Sequence, residues 1–494
     1  MPSSTLPRRT FLKLSGAGLG FAALPAAAPR LAASEDPLPP KIEVPPELMA
    51  KVAAYVEASP TAELPPAVTP KAKLHILDTL TAMISGAEFK VGKLARDFAR
   101  GLGGAPQAQV AGDNFLTDAI NAALANGNMA HADETDDSHE PSSTHPGCAI
   151  IPAALAAAEK ENISGRALIN AVVAGYDIGC RINRAFDPRQ MNSRNQATHS
   201  IGGCFGAGAA AASALRLNEQ QIRFMFDYVG QQASGMRYYV RDLEHVEKAF
   251  VFGGLPARSG MMAAAMAQAG FTGVQDCFSG ESNLFTTFTA NPTPAKLMEK
   301  LGEHFEITIT NIKKFSVGSP IQASLECITR ILQRMPLTPA DIKAVEVRVP
   351  GYEVVNNRLM PDINLQYCVA AALLDGKSTF AATHDFARMK SPEILQMQEK
   401  LSVVEDPSLR RPETSRTARV TITLNDGKSE TEHVTAVPGT AQNPMTAAQV
   451  EAKSRDILTP IMGAARANDL IALMGQLEDV KSVHALRPFL GKAG

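Results

Sequence analysis

The spacing of apolar and polar residues divides the chain into a long helical part and a shorter part that contains strands. Between about Glu47 and Lys300, apolar residues recur at helical spacing, for example over residues 166–173 after Ser164 and Gly165. Residues 205–217 and 255–269 are rich in Ala and Gly, whose small side chains let helices pack closely. The pattern therefore predicts a helical domain.

Strand patterns appear only after Phe305. The predicted strands are residues 307–310 and 345–349, and a hairpin of 419–424 and 430–434 whose turn contains Asp426 and Gly427. Residues 321–335 predict a helix between the first two strands, and from Thr446 the pattern is helical again. This order predicts an α+β segment inserted into a helical domain.

Length and composition agree with that division. A chain of 494 residues is expected to form two domains, and 5% aromatic residues without Trp argue against a β-sandwich or barrel. We predict a mainly α protein with an α+β insert, in which both chain ends form a large all-helical domain beside a smaller α+β lid. The predicted segments are a leader at 1–34, a linker at 35–45, the helical domain at 46–305 and 442–494, and the lid at 306–441.

The first residues are typical of an export signal. Arg8 and Arg9 are followed by Thr-Phe-Leu-Lys and then by an uncharged run over residues 14–29, with small residues at Ala32 to Ser34. This pattern resembles a twin-arginine signal peptide and predicts a periplasmic or secreted protein. A membrane anchor is the alternative, but the run is short and rich in Gly and Ala, whereas about 20 apolar residues are needed to span a bilayer. We expect no stable membrane insertion after the signal is removed.

Charge and cysteine content exclude other classes. The formal net charge of −2 gives no field that favours nucleic acid, so no nucleic-acid partner is expected. The six cysteines are scattered without a C-x-x-C pair, and a core of this size needs no disulfides. We expect buried, inert thiols.

Residues 131–145 concentrate the candidate chemistry. Three His and five acidic residues lie within these fifteen positions. Crowding of this kind separates pKa values and is typical of acid–base sites. Two alternatives remain: a solvated acidic loop, or a metal site with His131, Asp136, His139 and His145 as ligands. Because their spacing matches no compact ligand motif, we expect no metal.

The same stretch and several later motifs resemble the MmgE/PrpD family, which includes 2-methylcitrate dehydratase, cis-aconitate decarboxylase and iminodisuccinate epimerase. The motifs extend over most of the chain after the leader: Asn126-Gly127, Ala130-His131, Asp136 to His139, Thr144 to Pro146, Gly165, Gly175 to Asp177, Arg181, His199 to Gly202, Gln232 to Gly235, Gly270 to Gly273, Ile312 to Phe315, Gln366-Tyr367 and Asp375-Gly376. The resemblance implies a helical domain with an α+β lid, a homodimer and no cofactor.

The resemblance also implies which residues surround a small carboxylate substrate. Catalytic roles are expected for His145, His199, Lys313 and Tyr367, and substrate binding for Glu134, Ser138 and Lys248. His145 and His199 are the predicted acid and base, since imidazole titrates near neutrality and each lies in a loop-like, Gly-containing stretch. Lys313 is expected to hold a carboxylate or an enolate, and Tyr367 to donate a hydrogen bond or relay a proton.

Three positions depart from the family pattern. Glu134 replaces the usual Asp, Ser138 replaces the usual Thr, and the Gly and Ala spacing after Lys248 fits only with one extra residue. The departures and the predicted export argue against 2-methylcitrate as the substrate. We therefore expect a lyase, foremost a dehydratase that removes the proton alpha to a carboxylate of a hydroxy-polycarboxylate. Epimerisation or decarboxylation of a related acid, and an exported carboxylate-binding protein, are the alternatives.

Overall fold

The computed structural model describes residues 42–411 and 414–492. The predicted signal peptide and most of the predicted linker lie outside the described residues, so both stay predictions. Among the described residues, no helix combines the length and apolar character needed to cross a bilayer.

Helices form the first part of the described chain. The helices are α1 (Leu48–Ala58), α2 (Val68–Gly86), α3 (Lys90–Leu102), α4 (Ala119–Ala130), α5 (Pro146–Glu161), α6 (Gly165–Phe186), α7 (Pro188–Ser193), α8 (Thr198–Ala214), α9 (Glu219–Gln232), α10 (Val246–Ala249), α11 (Leu255–Gln268) and α12 (Leu284–Phe288). A π-helical turn, Phe250–Gly254, joins α10 to α11. Two short antiparallel strands, β1 (Ala108–Gln109) and β2 (Leu116–Thr117), precede α4.

Helix α8 lies at the centre of this layer and packs against α5, α6 and α11. Its Ala- and Gly-rich sequence is what allows the contact: a Cβ at Gly206 would press against Ile150 of α5 and the carbonyl oxygen of Gly175 in α6. Close packing of this kind fixes the first turn of α8 relative to the start of α5.

The α+β part, here called the lid, follows. Its strands are β3 (Ile342–Val349), β4 (Leu401–Glu405), β5 (Ala418–Leu424) and β6 (Ser429–Val434), and its helices are α13 (Gln322–Arg334), α14 (Leu365–Asp375), α15 (Phe380–Thr383) and α16 (Pro392–Glu399). The sheet order is β4-β3-β5-β6, with β3 parallel to β4 and antiparallel to β5. Val345, Val347 and Val349 are buried, as the alternation of β3 requires.

The chain then returns to helices: α17 (Ala447–Met462), α18 (Ala464–Gly475) and α19 (Arg487–Leu490). Buried apolar side chains form two main clusters. One contains residues from 48–307 and from 458–490, and the other contains residues from 317–437. The predicted mainly α fold with a smaller α+β part is confirmed, whereas the exact domain bounds stay a prediction.

The predicted strand at residues 307–310 is wrong. Glu306–Ile309 forms a 3-10 turn, in which Thr310 Oγ1 donates to Glu306 O at 2.9 Å. The Glu306 amide donates to Asp177 Oδ1 at 2.7 Å. Alternating Ile and Thr suit a strand, but these tertiary bonds hold the backbone in a turn.

Candidate active site

The loop between α4 and α5, residues 131–145, is buried. His131, Asp133, Asp136 and Asp137 have no exposed surface, and Glu134 is 1% exposed. The interpretation of this stretch as a solvated acidic loop is therefore wrong. Charges removed from water are costly unless they are paired, so the partners of these groups define the site.

Asp136 connects two imidazoles. Its Oδ2 accepts hydrogen bonds from His131 Nδ1 at 2.9 Å and from His145 Nδ1 at 3.0 Å, while Lys313 Nζ lies 3.5 Å from Oδ1. Burial alone would raise the pKa of Asp136, but His131, Lys313 and His145 hold it well below its usual range. Asp136 is thus an ionised carboxylate that orients both rings and leaves their Nε2 atoms for other partners.

Glu134 lies between two lysines. Lys248 Nζ donates to Glu134 Oε1, and Lys313 Nζ donates to Glu134 Oε2 at 2.8 Å and to the Glu134 carbonyl oxygen at 2.9 Å. The backbone of Glu134 is left-handed, with φ 55°, which is unfavourable for a residue with a side chain. Burial would raise the pKa of Glu134, but Lys248 and Lys313 hold it well below its usual range. These ion pairs keep the strained residue in place.

Phe252 organises the histidines. His199 stacks on its ring with centroids 3.8 Å apart and His131 with centroids 4.2 Å apart, both nearly parallel to it. Two rings at these distances fit only on opposite faces of the phenyl group. His145 contacts the edge of this stack, with its ring centroid 5.1 Å from that of His199. The π-helical turn therefore supplies the platform that sets the spacing of His145 and His199.

The two predicted acid–base histidines lie at helix starts rather than in free loops. His145 immediately precedes α5, and His199 is in the first turn of α8. Burial, with His145 and His131 nearby, holds the pKa of His199 well below its usual range. His199 is therefore neutral at physiological pH. His145, in contrast, lies directly beside the negative charge of Asp136.

A cavity of about 270 Å³ opens on these two rings. It lies between the helical layer and the lid, and its cationic side chains come from both: Arg237, Lys248, Arg358 and Arg416. Glu134 is the one carboxylate among the described residues that line it, and the two lysines already neutralise it. The excess positive charge favours a small anionic ligand.

Two arginines retain unused donors. The Nε atoms of Arg237 and Arg416 are buried and make no hydrogen bond within the described ranges, although Arg416 Nε lies 3.9 Å from Glu140 Oε1. Buried guanidinium donors without partners are costly, and a carboxylate is the ligand that pairs with them best. These atoms therefore indicate where an acidic substrate would bind.

The structure brings together four of the seven predicted site residues on this cavity: Glu134, His145, His199 and Lys248. Lys248 lies there despite the irregular spacing that follows it in the sequence. Ser138 and Lys313 instead line a small adjacent cleft, where the Ser138 amide pairs with the Asn311 carbonyl oxygen at 2.9 Å. Lys313 contacts the carboxylates of Glu134 and Asp136 but does not line the main cavity. Its position therefore suits it to neutralise these two carboxylates rather than to contact a substrate.

Tyr367 lies in the lid core, not at the cavity. Its side chain is fully buried, and its hydroxyl donates to Ala382 O at 2.6 Å and lies 3.3 Å from Asp385 O. Those carbonyl bonds occupy the hydroxyl, which explains why it does not line the cavity. The catalytic role expected from the resemblance has no support in this arrangement.

Several residues of the site were not predicted. Asp136 was considered from sequence only as a possible metal ligand, and Phe252, Arg358 and Arg416 were not singled out. Asp136 lies within the acidic cluster at residues 131–145, so the sequence did contain a signal that could have identified it as a site residue. The other three come from distant segments that carry no local motif, and only tertiary structure brings them to the cavity.

The ligand set considered from sequence for a metal is brought together only in part. Asp136 bonds His131 and His145 through one oxygen, whereas His139 Nε2 lies 3.0 Å from Glu306 Oε2 instead. A different set, His131, Glu134 and His245, has ligand atoms within 4.8 Å of one another.

Acid is expected to weaken the fold through His131. Burial lowers the pKa of His131 to about 3, whereas an unfolded His titrates near pH 6.5. Between these values the unfolded chain binds the additional proton, so this contribution to the free energy of unfolding falls as the pH falls from about 6.5 towards 3. Thermal unfolding of His131→Asn should therefore depend less on pH than that of the wild type between pH 6.5 and 5.

The comparison of variant with wild type is required because other groups act in the opposite sense. Burial raises the pKa of Asp177 and of Glu159 to about 7, and both groups therefore favour the folded state as acid is added. Their contribution cancels in the difference between wild type and variant. Equal pH slopes in the two proteins would contradict the assignment of His131 as a buried neutral ring.

Comparison with known proteins identifies the family of this chain. The MmgE/PrpD N-terminal domain matches residues 50–296, and the MmgE/PrpD C-terminal domain matches residues 315–479. Similar proteins include the cis-aconitate decarboxylase of Homo sapiens, 24% identical over 86% of this chain and 90% of that protein. A cis-aconitate decarboxylase-like protein of Aspergillus oryzae is 23% identical over 70% of this chain and 77% of that protein. These relatives are lyases, and the chain belongs to the MmgE/PrpD family of lyase-type enzymes.

Proposed function

We propose that this protein is a dehydratase that acts on a small hydroxy-polycarboxylate, with His199 as the general base and His145 as the general acid. The observation that carries the proposal is the pair of imidazoles with ring centroids 5.1 Å apart, in unlike environments, at a cation-lined cavity. Dehydration needs one group that takes a proton from carbon and one that gives a proton to the departing hydroxyl.

The environments decide the roles. His199 is neutral because it is buried and because its neighbours include other imidazoles and Lys248, so it can accept the proton alpha to a carboxylate. His145 is bonded through Nδ1 to the ionised Asp136, and we assign it the acid role because it is the ring that pairs with this carboxylate at the cavity. Its Nε2 is then the donor to the leaving hydroxyl, and no further group is needed to complete the proton transfer.

The cations fix the orientation of the substrate. Arg237 lies in the helical layer, and Arg358 and Arg416 lie in the lid, so a molecule with two or three carboxylates can contact both parts at once. The same positive charges stabilise the enolate-like charge that develops when the alpha proton leaves. A substrate with a single carboxylate could not contact the cations of both parts at once.

Decarboxylation is the second candidate, and the relatives favour it because their names describe cis-aconitate decarboxylases. The same two imidazoles would serve: one protonates carbon while carbon dioxide departs from a carboxylate. Dehydration and decarboxylation thus differ in which bond breaks, not in the residues required.

Incubation of the full chain with hydroxy-, imino- and unsaturated polycarboxylates in deuterated water distinguishes the outcomes. Dehydration produces ultraviolet absorbance of an unsaturated acid, decarboxylation releases carbon dioxide, and epimerisation gives deuterium uptake without either. The double variant His145→Ala/His199→Ala is the matched control. Binding without any turnover would replace the enzyme proposal with that of a carboxylate-binding protein.

Tyr367→Phe tests whether the lid tyrosine takes part in the reaction. Because its hydroxyl bonds two backbone carbonyls, its loss should reduce the free energy of unfolding by about 1–2 kcal/mol. We expect kcat to stay within about threefold of wild type, measured on whichever acid the panel identifies. A decrease of roughly 10²-fold or more would restore the proton-transfer role that the resemblance implies.

A further inference from the structure

We propose that His131, Glu134 and His245 form a binding site for a divalent transition metal ion of the zinc class, in which the ammonium group of Lys248 holds the place of the metal when none is bound. The proposal does not depend on the reaction proposed above, because its measurement is metal binding.

Two imidazole nitrogens point at one carboxylate oxygen. His131 Nε2 and His245 Nε2 each lie 3.7 Å from Glu134 Oε1. Both rings are buried, His131 with no exposed surface and His245 with 5%, and neither Nε2 has a hydrogen-bond partner in the described part of the chain. Buried nitrogens without partners are uncommon, and their convergence on a carboxylate indicates an unfilled ligand position.

A carboxylate lies near the other nitrogen of each imidazole. His131 Nδ1 bonds Asp136 Oδ2 at 2.9 Å, whereas His245 Nδ1 lies 3.4 Å from Asp362 Oδ2 without a hydrogen bond. A metal-binding His commonly donates its second N–H to a carboxylate, which fixes the tautomer and aims the free nitrogen at the ion. Here the arrangement is complete for His131, and His245 has a carboxylate within reach of a small ring rotation.

The distances suit zinc. Zinc binds imidazole nitrogen at about 2.0–2.1 Å and carboxylate oxygen at about 2.0–2.2 Å, so neighbouring ligand atoms in a tetrahedral site lie about 3.3–3.5 Å apart. The observed 3.7 Å separations need to shorten by only a few tenths of an ångström.

Lys248 competes with the metal ion for Glu134. Its Nζ bonds Glu134 Oε1, the oxygen that the metal would take, and its side chain is 13% exposed toward the cavity. Binding of the ion would therefore displace the ammonium group into the cavity. Lys313 stays on Glu134 Oε2 and weakens the site electrostatically, so moderate rather than very tight affinity is expected.

An access route exists beside His245. A second cavity of about 370 Å³ is lined by His245, Asp362 and His384 together with apolar side chains from α3 and its flanking residues. An ion can therefore reach the site without passing through the substrate cavity, and a water molecule from either side could complete the coordination.

The test is equilibrium dialysis of the metal-free full chain against Zn²⁺, with Co²⁺ absorption in the visible region to report tetrahedral coordination. We expect one equivalent, at least tenfold weaker binding in His245→Gln, and at least tenfold tighter binding in Lys248→Met, where the competitor is gone. His433→Gln, in β6 of the lid, is the control for adventitious histidine binding and should match wild type.

Failure has a definite form. If Lys248→Met binds the ion no more tightly than His433→Gln does, or if His245→Gln binds it as tightly as wild type does, the proposed site is wrong. If wild type binds no metal but Lys248→Met binds one equivalent that is lost on adding His245→Gln, the site stands and Lys248 is its resident cation. Circular dichroism of each variant shows whether lost binding reflects unfolding.

Discussion

His199→Ala is expected to lower kcat by roughly 10²–10⁴-fold while the substrate still binds, because a general acid or base contributes about that factor. In the proposed function, the substrate carboxylates bind Arg237, Arg358 and Arg416, which line the same cavity and do not depend on the imidazole. His145→Ala should give a loss of the same order. The double variant should be little worse than either single one, since the two rings act as a unit in the same elimination.

The control for these variants is a substitution at a histidine that is partly buried but lies away from the cavity. His484, whose Nε2 bonds the Glu159 carbonyl oxygen at 2.8 Å, meets that condition, and His484→Ala should keep the wild-type kcat. Substrate affinity of the inactive variants is measured by calorimetry. Retention of more than a tenth of the wild-type kcat in His199→Ala would show that another group removes the proton.

Asp136 gives the same hypothesis a graded test. Asp136→Asn keeps the shape but removes the carboxylate that accepts the Nδ1 hydrogen bond of His145 and orients its ring. We expect kcat to fall, by less than in His145→Ala, while the substrate affinity measured by calorimetry stays near that of wild type. An unchanged kcat would assign Asp136 a purely structural role.

Local periodicity was enough to predict much of the lid. The hairpin of β5 and β6 follows from two alternating segments and a turn with Asp426 and Gly427, and the register Thr421 opposite Thr431 fits that turn. The parallel pairing of β3 with β4 joins segments far apart in sequence, and no local pattern specifies it. Residues 307–310 show the converse, because bonds to distant groups override a strand-like sequence.

The candidate site divides in the same way. His145 and His199 were predicted from residue type and family resemblance, and the structure places both on the cavity. Phe252 could not be predicted as their platform, because its position depends on a π-helical turn that lies against α4. A Cβ at Gly253 would collide with the carbonyl oxygen of Gly127, so two glycines from different segments permit that approach.

Glu134→Gln is expected to cost about 3–5 kcal/mol of unfolding free energy, the usual cost of removing one member of a buried ion pair. The two lysines do not contribute equally. Lys248 reaches the cavity and can be solvated there, whereas the side chain of Lys313 is only 2% exposed and would keep Asp136 alone as a carboxylate partner at 3.5 Å. Most of the cost should therefore come from Lys313.

That asymmetry gives a prediction in double variants. Lys313→Met added to Glu134→Gln should restore part of the lost stability, because it removes the uncompensated charge, whereas Lys248→Met added to Glu134→Gln should restore little. The measurement is urea unfolding of the single variant, the two double variants and wild type at neutral pH. Lys314→Met added to Glu134→Gln is the matched control, because the ammonium group of Lys314 pairs with Glu326 instead. If both additions restored stability equally, the two lysines would share the charge of Glu134 evenly, and the asymmetry would be wrong. Lys313 bonds both the carboxylate and the carbonyl oxygen of Glu134. Equal restoration would therefore mean that both lysines, and not Lys313 by itself, hold the strained backbone of that residue.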